Sequence, residues 1–365
     1  MNNNPIIVGI SHGDINGISY EIILKTFLDN RMQEMAVPVI YGSAKIAAYY
    51  RKALNMENFV LNQVQSIDDI HPKRINIINC IDENVRVEIG KSTPMAGEAA
   101  FMALEAATRD LKAGKIHALV TAPINKHNIQ SKDFAFPGHT EYLQNQAGAD
   151  DSLMFLLSDL LRVGVVTGHV PLKDVASHLS AEKILRKIKI MHESLRMDFN
   201  IRKPRIAVLG LNPHSGDQGL LGTEEEEIIL PAIKQAKDAG MLVFGPYSAD
   251  GFFGSDLIKK FDGVLAMYHD QGLAPFKALS FDSGVNFTAG LPFIRTSPDH
   301  GTAYELAGKD EASPESFRQA FYKAIDIYKN REMDKELKAN PLKAQKLRDN
   351  HHNRDVDPDL KKLEE

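Results

Sequence analysis

Residues 264–272 of the chain read VLAMYHDQG, an apolar run, Val264–Tyr268, that leads directly into His269 and a polar segment containing Gly272. Short runs that are apolar on both faces are typical of strands buried in a parallel sheet. Ligands of such sheets gather at the carboxyl ends of the strands, which is where His269 stands. The stretch therefore predicts a buried strand with a functional histidine at its end.

Similar apolar runs occur along most of the chain, and longer amphipathic stretches separate them. In one of these stretches Ile184, Ile188, Met191 and Leu195 share a helical face. This alternation predicts an α/β fold whose mostly parallel sheets are covered by helices. The other candidate strands are Pro5–Ile10, Val37–Tyr41, Ile75–Cys80, Ala118–Thr121, Val163–Thr167 and Ile206–Leu211.

The segment from Thr223 to Gly240 carries start and stop signals for a helix. Thr223 and Glu226 have the spacing of a capping box, and Gly240 is a plausible end. Pro231 lies inside the pattern, and it predicts a break or kink because proline has no N–H to donate.

Composition excludes several functional classes. The chain has 365 residues, 43% hydrophobic and 25% charged, with a formal net charge of -5, so nucleic-acid and membrane partners have no support. Cys80 is the single cysteine, which excludes an intrachain disulfide and a cysteine-ligated metal. No signal peptide or membrane-spanning run is visible, so a cytoplasmic enzyme of two α/β domains sharing a cleft is expected.

Three histidines stand just beyond candidate strands: His169, His214 and His269. If those strands are neighbours in one parallel sheet, the imidazoles converge on one crevice. Three neutral imidazoles suit a divalent metal and leave positions open for a substrate. The spacing carries no metal signature, so solvent-facing or structural histidines remain the alternative for each.

Candidate anion-binding residues occur in two segments. In FPGHTE, Thr140 predicts the N-cap of a helix, and an anion at that helix start would also meet His139. Lys277, Asn286 and Arg295 lie near later strand or loop ends and could bind a carboxylate or phosphate. Ordinary surface charges and a plain capped helix are the alternatives.

Several motifs, in this order, resemble those of the 4-hydroxythreonine-4-phosphate dehydrogenase family. They are GHTE at 138–141, GLNPHSG at 210–216, AMYHDQG at 266–272, GLPFIRTS at 290–297 and DHGTA at 299–303. The resemblance extends from about Pro5 to Tyr328. It implies a fold of two α/β/α domains like isocitrate and isopropylmalate dehydrogenases, with the active site in the interdomain cleft at the interface of a homodimer.

The resemblance also assigns roles to residues. One divalent ion per site (Zn, Co, Mn or Mg) would be bound by His169, His214 and His269. The implied substrate-binding residues are His139, Thr140, Lys277, Asn286 and Arg295, and the implied contacts with NAD or NADP are His300, Gly301 and Ala303. Residues 1–130 with 300–330 would form a cofactor-side domain and 131–299 a metal- and dimer-side domain, with 331–365 as a charged C-terminal extension.

The implied reaction is the NAD-dependent oxidation of 4-phosphooxy-L-threonine to a β-keto acid, which decarboxylates to 3-amino-2-oxopropyl phosphate in pyridoxine phosphate biosynthesis. A dehydrogenase of 4-phosphoerythronate or 4-phosphothreonate in sugar-acid catabolism would use the same site. A phosphate acyltransferase of similar fold and a binding module without turnover are the alternatives from other classes. The histidine set disfavours the acyltransferase, whose chemistry needs no such metal.

The first loop departs from the family pattern. The family commonly has Gly-Asp/Glu-Pro-Ala-Gly-Ile-Gly-Pro, whereas this chain has GDINGISY at 13–20. A glycine turn before a helix can bring backbone N–H groups to a phosphate or cofactor. Ala122 also replaces a frequent glycine. These changes affect the expected cofactor side and none of the metal or substrate positions.

Overall fold

The computed structural model describes residues 5–82, 84–280 and 283–339, and its strands join into one sheet. In chain order they are β1 (Ile7–Ser11), β2 (Val37–Gly42), β3 (Asn62–Val64), β4 (Asn76–Asn79), β5 (Ala118–Thr121), β6 (Leu153–Leu157), β7 (Arg162–Thr167), β8 (Arg205–Leu209), β9 (Leu242–Tyr247), β10 (Gly263–Tyr268), β11 (Val285–Ala289) and β12 (Ile294–Pro298). Their order across the sheet is β3-β4-β2-β1-β5-β12-β11-β6-β7-β10-β8-β9. Every candidate strand is present, with ends shifted by a few residues.

Strand direction divides the sheet into two parallel halves. From β3 to β12 each neighbour is parallel, and the same holds from β7 to β9. Between them, β11 pairs antiparallel with β12 and β6, and β6 pairs antiparallel with β7. The prediction of a mostly parallel α/β fold is confirmed, and the two halves run in opposite directions across this antiparallel joint.

Several strands did not emerge from the sequence pattern: β3, β6, β9, β11 and β12. Polar residues interrupt β11 at Asn286 and Thr288 and β12 at Arg295, so neither reads as a continuous apolar run. Their central position in the sheet nevertheless buries most of their residues. Sheet pairing therefore overrides the local pattern at this joint.

The helices follow the predicted alternation. They are α1 (Ser19–Thr26), α2 (Met32–Met35), α3 (Ala44–Ala53), α4 (Pro94–Lys112), α5 (His139–Ala147), α6 (Ala181–Met197), α7 (Leu230–Asp238), α8 (Ala249–Phe253), α9 (His269–Leu279) and α10 (Glu315–Ala339). On α6, Ile184, Ile188, Met191 and Leu195 are all fully buried, which confirms the predicted apolar face.

The helix start near Thr223 differs from the prediction. A π-helical segment, Glu225–Ile229, precedes α7, and its N-cap Glu224 has no side-chain cap, so the capping box of Thr223 and Glu226 is wrong. The backbone carbonyl of Thr223 instead accepts from the N–H of Glu226 and of Glu227. The break or kink expected at Pro231 takes the form of a wider π turn directly before this residue. As predicted, Gly240 ends the helix, and it has φ of 82°.

The long helix α10 packs against β12, β11, β5 and β1. It includes the first residues of the predicted charged extension, and Arg331 is buried there, its Nε donating to Asp198 Oδ1 at 2.6 Å. The rest of that extension, 340–365, lies outside the described residues, and the predicted domain limits stay a prediction. Within the described part of the chain, no helix is long and apolar enough to cross a membrane.

Candidate active site

A cleft of about 290 Å³ lies where loops following β5, β7, β10 and β12 meet. Predicted site residues that line it are His139, Thr140, His169, His269, Lys277, Asn286, His300 and Gly301. A larger surface groove of about 1320 Å³ elsewhere on the molecule contains none of the predicted site residues. The smaller cleft is the candidate active site because the chemically useful side chains are concentrated there.

The start of α5 forms one wall of the cleft. The helix begins at His139 with Gly138 at the N-cap, so the prediction of Thr140 as N-cap is wrong by two positions. Gly138 has no side chain to accept from the first N–H groups of the helix. Those donors are therefore left for an anion, beside the side chains of His139 and Thr140.

Arg295 lies behind this wall and is only 3% exposed. Its Nε and Nη2 donate to Thr121 Oγ1 at 3.0 and 2.7 Å, and its Nη1 donates to Thr288 Oγ1 at 3.3 Å. Nη2 also lies 3.3 Å from Nδ1 of His139. Burial lowers the pKa of Arg295 to about 10, which still leaves the guanidinium charged at neutral pH.

His139 is a neutral donor held in one tautomer. Burial lowers its pKa well below the usual value, and the charges of Arg295 and Lys126 lower it further. Because a guanidinium can only donate, Nδ1 of His139 accepts and the proton resides on Nε2. Nε2 has no partner among the described residues, so it is available to a ligand in the cleft.

Lys277 and Asn286 contribute further polar groups. Nζ of the exposed Lys277 donates to the carbonyl of Asp299 at 3.3 Å and lies 3.7 Å from its carboxylate. Burial raises the pKa of Asp299, and Lys277 opposes that shift. Oδ1 of Asn286 is buried without a partner in the described part of the chain. The cleft thus offers a mobile cation to a bound anion, and the oxygen of Asn286 can accept from a hydroxyl or ammonium group of a ligand.

Two of the three predicted metal ligands lie together. The rings of His169, after β7, and His269, at the start of α9, have centroids 5.7 Å apart. Nδ1 of His269 donates to Asp270 Oδ1 at 2.6 Å, which leaves its Nε2 with a free lone pair. Nζ of Lys126 lies 3.2 Å from Nε2 of His169. Burial lowers the pKa of His169, with Lys126 adding to the effect.

The third, His214, lies apart from this pair. It follows β8, which is a parallel neighbour of β10, so the predicted adjacency of the three strands is present. However, His214 is exposed in a left-handed turn beside Asp250, outside the cleft lining. Within residues 5–82, 84–280 and 283–339, no three His, Cys, Asp or Glu side chains are grouped closely enough to hold a metal.

The DHGTA turn closes the other side of the cleft. His300 and Gly301 line it, and His300 Nε2 has no partner among the described residues. The turn is bound to the first loop, because the N–H of Ile18 donates to the carbonyl of Thr302 at 3.0 Å. A Cβ on Gly17 would lie 2.5 Å from that carbonyl oxygen, so glycine is required there. Ala303, the remaining predicted cofactor residue, has φ of 43° and lies outside the cleft lining.

The altered first loop is well packed. Tyr20, which replaces the usual proline, is fully buried, and its hydroxyl accepts from the N–H of Ser43 at 2.9 Å. Its ring stacks on His12 and on Tyr50. Asp14 accepts from the hydroxyl of Tyr304 at 2.7 Å, so the loop also holds the segment after the DHGTA turn.

Sequence reasoning assigned no role to three charged residues of the cleft, which are Lys126, Glu141 and Asp299 of the DHGTA motif. Lys126 stands five residues after the end of β5, within the stretch where ligand-binding groups are expected. Glu141 lies in the GHTE motif itself. The position after a strand was therefore the available signal for Lys126, and the motif was the signal for Glu141.

Comparisons with known proteins identify the family of the chain. The family model described as "Pyridoxal phosphate biosynthetic protein PdxA" matches residues 34–324. The 4-hydroxythreonine-4-phosphate dehydrogenase of Bacteroides thetaiotaomicron is 53% identical over 347 residues, 94% of this chain and 95% of the relative. A candidate D-threonate 4-phosphate dehydrogenase of Oceanobacillus iheyensis is 39% identical over 90% of this chain and 99% of its own length.

Solved structures give the same result. The crystal structure of 4-hydroxythreonine-4-phosphate dehydrogenase from Klebsiella pneumoniae superposes with a TM-score of 0.77 and 34% identity, covering 90% of this chain and 99% of that one. The similarity thus extends over nearly the whole fold. The chain belongs to the PdxA family of pyridoxal phosphate biosynthetic proteins, whose relatives named above are dehydrogenases.

Proposed function

We propose that the protein oxidises 4-phosphooxy-L-threonine with NAD or NADP in pyridoxine 5'-phosphate biosynthesis. The first product is 2-amino-3-oxo-4-phosphooxybutanoate, which decarboxylates to 3-amino-2-oxopropyl phosphate. The main observation behind the proposal is the cleft itself, where anion donors lie beside a pair of histidines. The relative at 53% identity carries the name of this activity.

The phosphate and carboxylate of the substrate would be bound by the donors of the cleft. His139 donates through Nε2, Thr140 and the uncapped start of α5 add further donors, and Lys277 supplies a mobile charge. Asn286 can contact a polar group of the substrate through its unpartnered amide oxygen. The net charge of the chain is -5, so anion binding must come from this local cluster.

The histidines fit a divalent ion chemically. His169 Nε2 accepts from the ammonium of Lys126, so its lone pair already faces a cation. His269 has the carboxylate partner on Nδ1 that is usual for a metal-binding histidine. His169 and His269, with His214, would hold the ion. When bound, the ion supplies a Lewis acid that lowers the pKa of the substrate hydroxyl, and the nicotinamide accepts hydride.

A homodimer would bring the third histidine to the site. His214 is exposed, and its loop also exposes Leu220 and Leu221, 79% and 43% accessible. Leu172, three residues after His169, is exposed as well. Contiguous patches of exposed apolar side chains are typical of protein interfaces. We infer that a second copy covers them and that each site combines His169 and His269 of one protomer with His214 of the other.

The cofactor would lie along the DHGTA turn and the first loop. His300 and Gly301 are at the cleft, Ala303 continues the turn, and the hydrogen bond from Ile18 to Thr302 holds the two segments together. The packing of Tyr20 supports a loop that remains ordered despite its altered sequence.

A dehydrogenase of 4-phosphothreonate or 4-phosphoerythronate is the second candidate. The relative from Oceanobacillus iheyensis favours it, and the same anion donors would serve that substrate. The products separate the two functions. Incubation of the enzyme with 4-phosphooxy-L-threonine, NAD and a divalent ion should yield carbon dioxide and an aminoketone phosphate detectable by mass spectrometry. Reduction of NAD without formation of an aminoketone would contradict the proposal.

A further inference from the structure

The turn that carries His214 has an unusual backbone. His214, Ser215, Asp217 and Gln218 all have positive φ, between 44° and 57°. Residues with a side chain adopt this region rarely, and a run of them persists only where the surrounding structure holds it. Something next to the turn must therefore fix its shape.

Glu225 is the group that holds the turn. It is only 2% exposed, and its Oε1 accepts from the N–H of Leu211 at 2.7 Å and from the N–H of Asn212 at 2.8 Å. Its Oε2 accepts from Nδ2 of Asn212 at 3.0 Å, a donor that Glu224 also accepts from at 2.7 Å. The carboxylate thus satisfies backbone donors just before His214.

Two glycines leave room for this carboxylate. A Cβ on Gly210 would lie 3.0 Å from Oε1 of Glu225, and a Cβ on Gly216 would lie 2.7 Å from Oε2. Gly216 also has φ of 82°, which favours glycine independently. The backbone on both sides of His214 is therefore packed directly on the carboxylate of Glu225.

The helix that carries Glu225 is locally widened. The N–H of Leu230 donates to the carbonyl of Glu225, five residues back, at the end of the π-helical segment Glu225–Ile229. Pro231, which has no N–H, follows immediately. Such π turns occur frequently at functional sites, because they change the direction in which a side chain leaves the helix.

We propose that Glu225 is a positioning residue that shapes the 210–222 turn so that His214 can bind the metal. The inference rests on the proposed function, because it assigns His214 as a ligand. Both carboxylate oxygens of Glu225 accept hydrogen bonds from Leu211 or Asn212, so its role passes through the turn. Loss of the Glu225 carboxylate should lower the affinity for the metal. Its effect on the free energy of unfolding should be smaller.

The chain offers a matched control for this inference. Glu226 is the next residue and is exposed, so Glu226→Gln removes the same charge one position away. Glu225→Gln keeps the shape of the side chain but places an NH₂ group opposite the donor Nδ2 of Asn212. Glu225→Asp keeps the charge and shortens the reach, and it serves as a second variant in case the first does not fold. His214→Ala removes the ligand itself.

The experiment is a titration of each purified variant with Co²⁺, followed by visible absorption, together with hydrogen exchange of the Leu211 and Asn212 amides without metal. For Glu225→Gln and Glu225→Asp we expect Co²⁺ affinity reduced by about tenfold to a hundredfold and faster exchange at both amides. Glu226→Gln should match the wild type in both measurements.

The two readouts separate the inference from the proposed function. Wild-type Co²⁺ affinity and unchanged exchange in both Glu225 variants would overturn the positioning role while leaving the metal site in place. Unchanged affinity in His214→Ala would overturn the ligand assignment, and with it the inference as stated. A loss of affinity equal in Glu225→Gln and Glu226→Gln would show a charge effect and would also overturn the positioning role.

Discussion

Nη2 of Arg295 lies 3.3 Å from Nδ1 of His139, and both side chains are buried at the edge of the cleft. The contact fixes the proton of His139 on Nε2, where a substrate oxygen can accept it. Arg295 also donates to Thr121 and Thr288, so most of its donors are used within the protein. Arg295 therefore favours anion binding largely by its positive charge and by fixing the tautomer of His139.

Replacing Arg295 by lysine should impair use of the phosphorylated substrate although the charge is kept. Lysine cannot donate to Thr121, Thr288 and His139 at once, so the tautomer of His139 is no longer fixed. A lost charge-assisted hydrogen bond costs about 1.5–3 kcal/mol, which corresponds to a decrease of about ten- to a hundredfold in kcat/KM.

The control for this variant is the dephosphorylated substrate, 4-hydroxythreonine. The wild type should use it poorly, and Arg295→Lys should be little worse on it. Equal turnover of the phosphorylated and dephosphorylated compounds by the wild type would show that the cleft does not recognise phosphate.

Complementation between inactive variants tests the shared metal site. In a heterodimer of His169→Ala and His214→Ala chains, one site carries both defects and the other is intact. Co-expression in equal amounts should therefore restore about a quarter of the wild-type activity, since half of the dimers are mixed.

The control pair is His169→Ala with His269→Ala, whose defects lie on the same side of the site. That pair should remain inactive. The contrary result is that the first pair also fails to recover activity while sedimentation shows a dimer. In that case all three ligands come from one protomer, and the proposal of a metal site shared between two protomers is wrong.

The fold could be predicted from the sequence where the residues buried in the structure also form an apolar pattern along the chain. The runs that became β1, β2, β5, β7 and β10 are apolar on both faces, and α6 shows its core face by spacing alone. The antiparallel joint could not be predicted this way, since Asn286 and Thr288 on β11 and Arg295 on β12 are polar residues buried by pairing and side-chain hydrogen bonds.

The candidate site shows the same division. Motifs after strands identified most of the residues that line the cleft, because ligands of α/β sheets gather at the carboxyl ends of the strands. The motifs did not show that Arg295 lies behind His139, because that depends on the pairing of β12 with β5. Nor did they show that His214 lies apart from His169, because that depends on the irregular turn after β8. The irregular turn after β8 is built by Glu225, a residue that no sequence signal distinguished from its acidic neighbours.

His12 should make folding stability depend on pH. It is fully buried, its ring nitrogens have no side-chain partner among the described residues, and burial lowers its pKa to about 4. The unfolded chain binds a proton on this residue below its ordinary pKa of 6.5, whereas the folded chain does so only near 4. Stability should therefore fall as pH is lowered from 6.5 towards 4, by up to about 3 kcal/mol from this group.

Urea unfolding across this pH range measures the effect. His12→Leu, which cannot titrate, should show a shallower loss of stability than the wild type over the same interval. Parallel pH profiles for the two proteins would show that His12 does not carry the dependence.

The proposed activity is tested most directly by one assay of NAD reduction. The purified protein is supplied with NAD and a divalent ion, and absorbance of the reduced nicotinamide is followed with 4-phosphooxy-L-threonine, 4-phospho-D-threonate and 4-phospho-D-erythronate at equal concentrations. We expect the highest kcat/KM with 4-phosphooxy-L-threonine, and no reduction after the metal is removed by a chelator. A higher kcat/KM with either of the other two acids, or no turnover of 4-phosphooxy-L-threonine, would contradict the account.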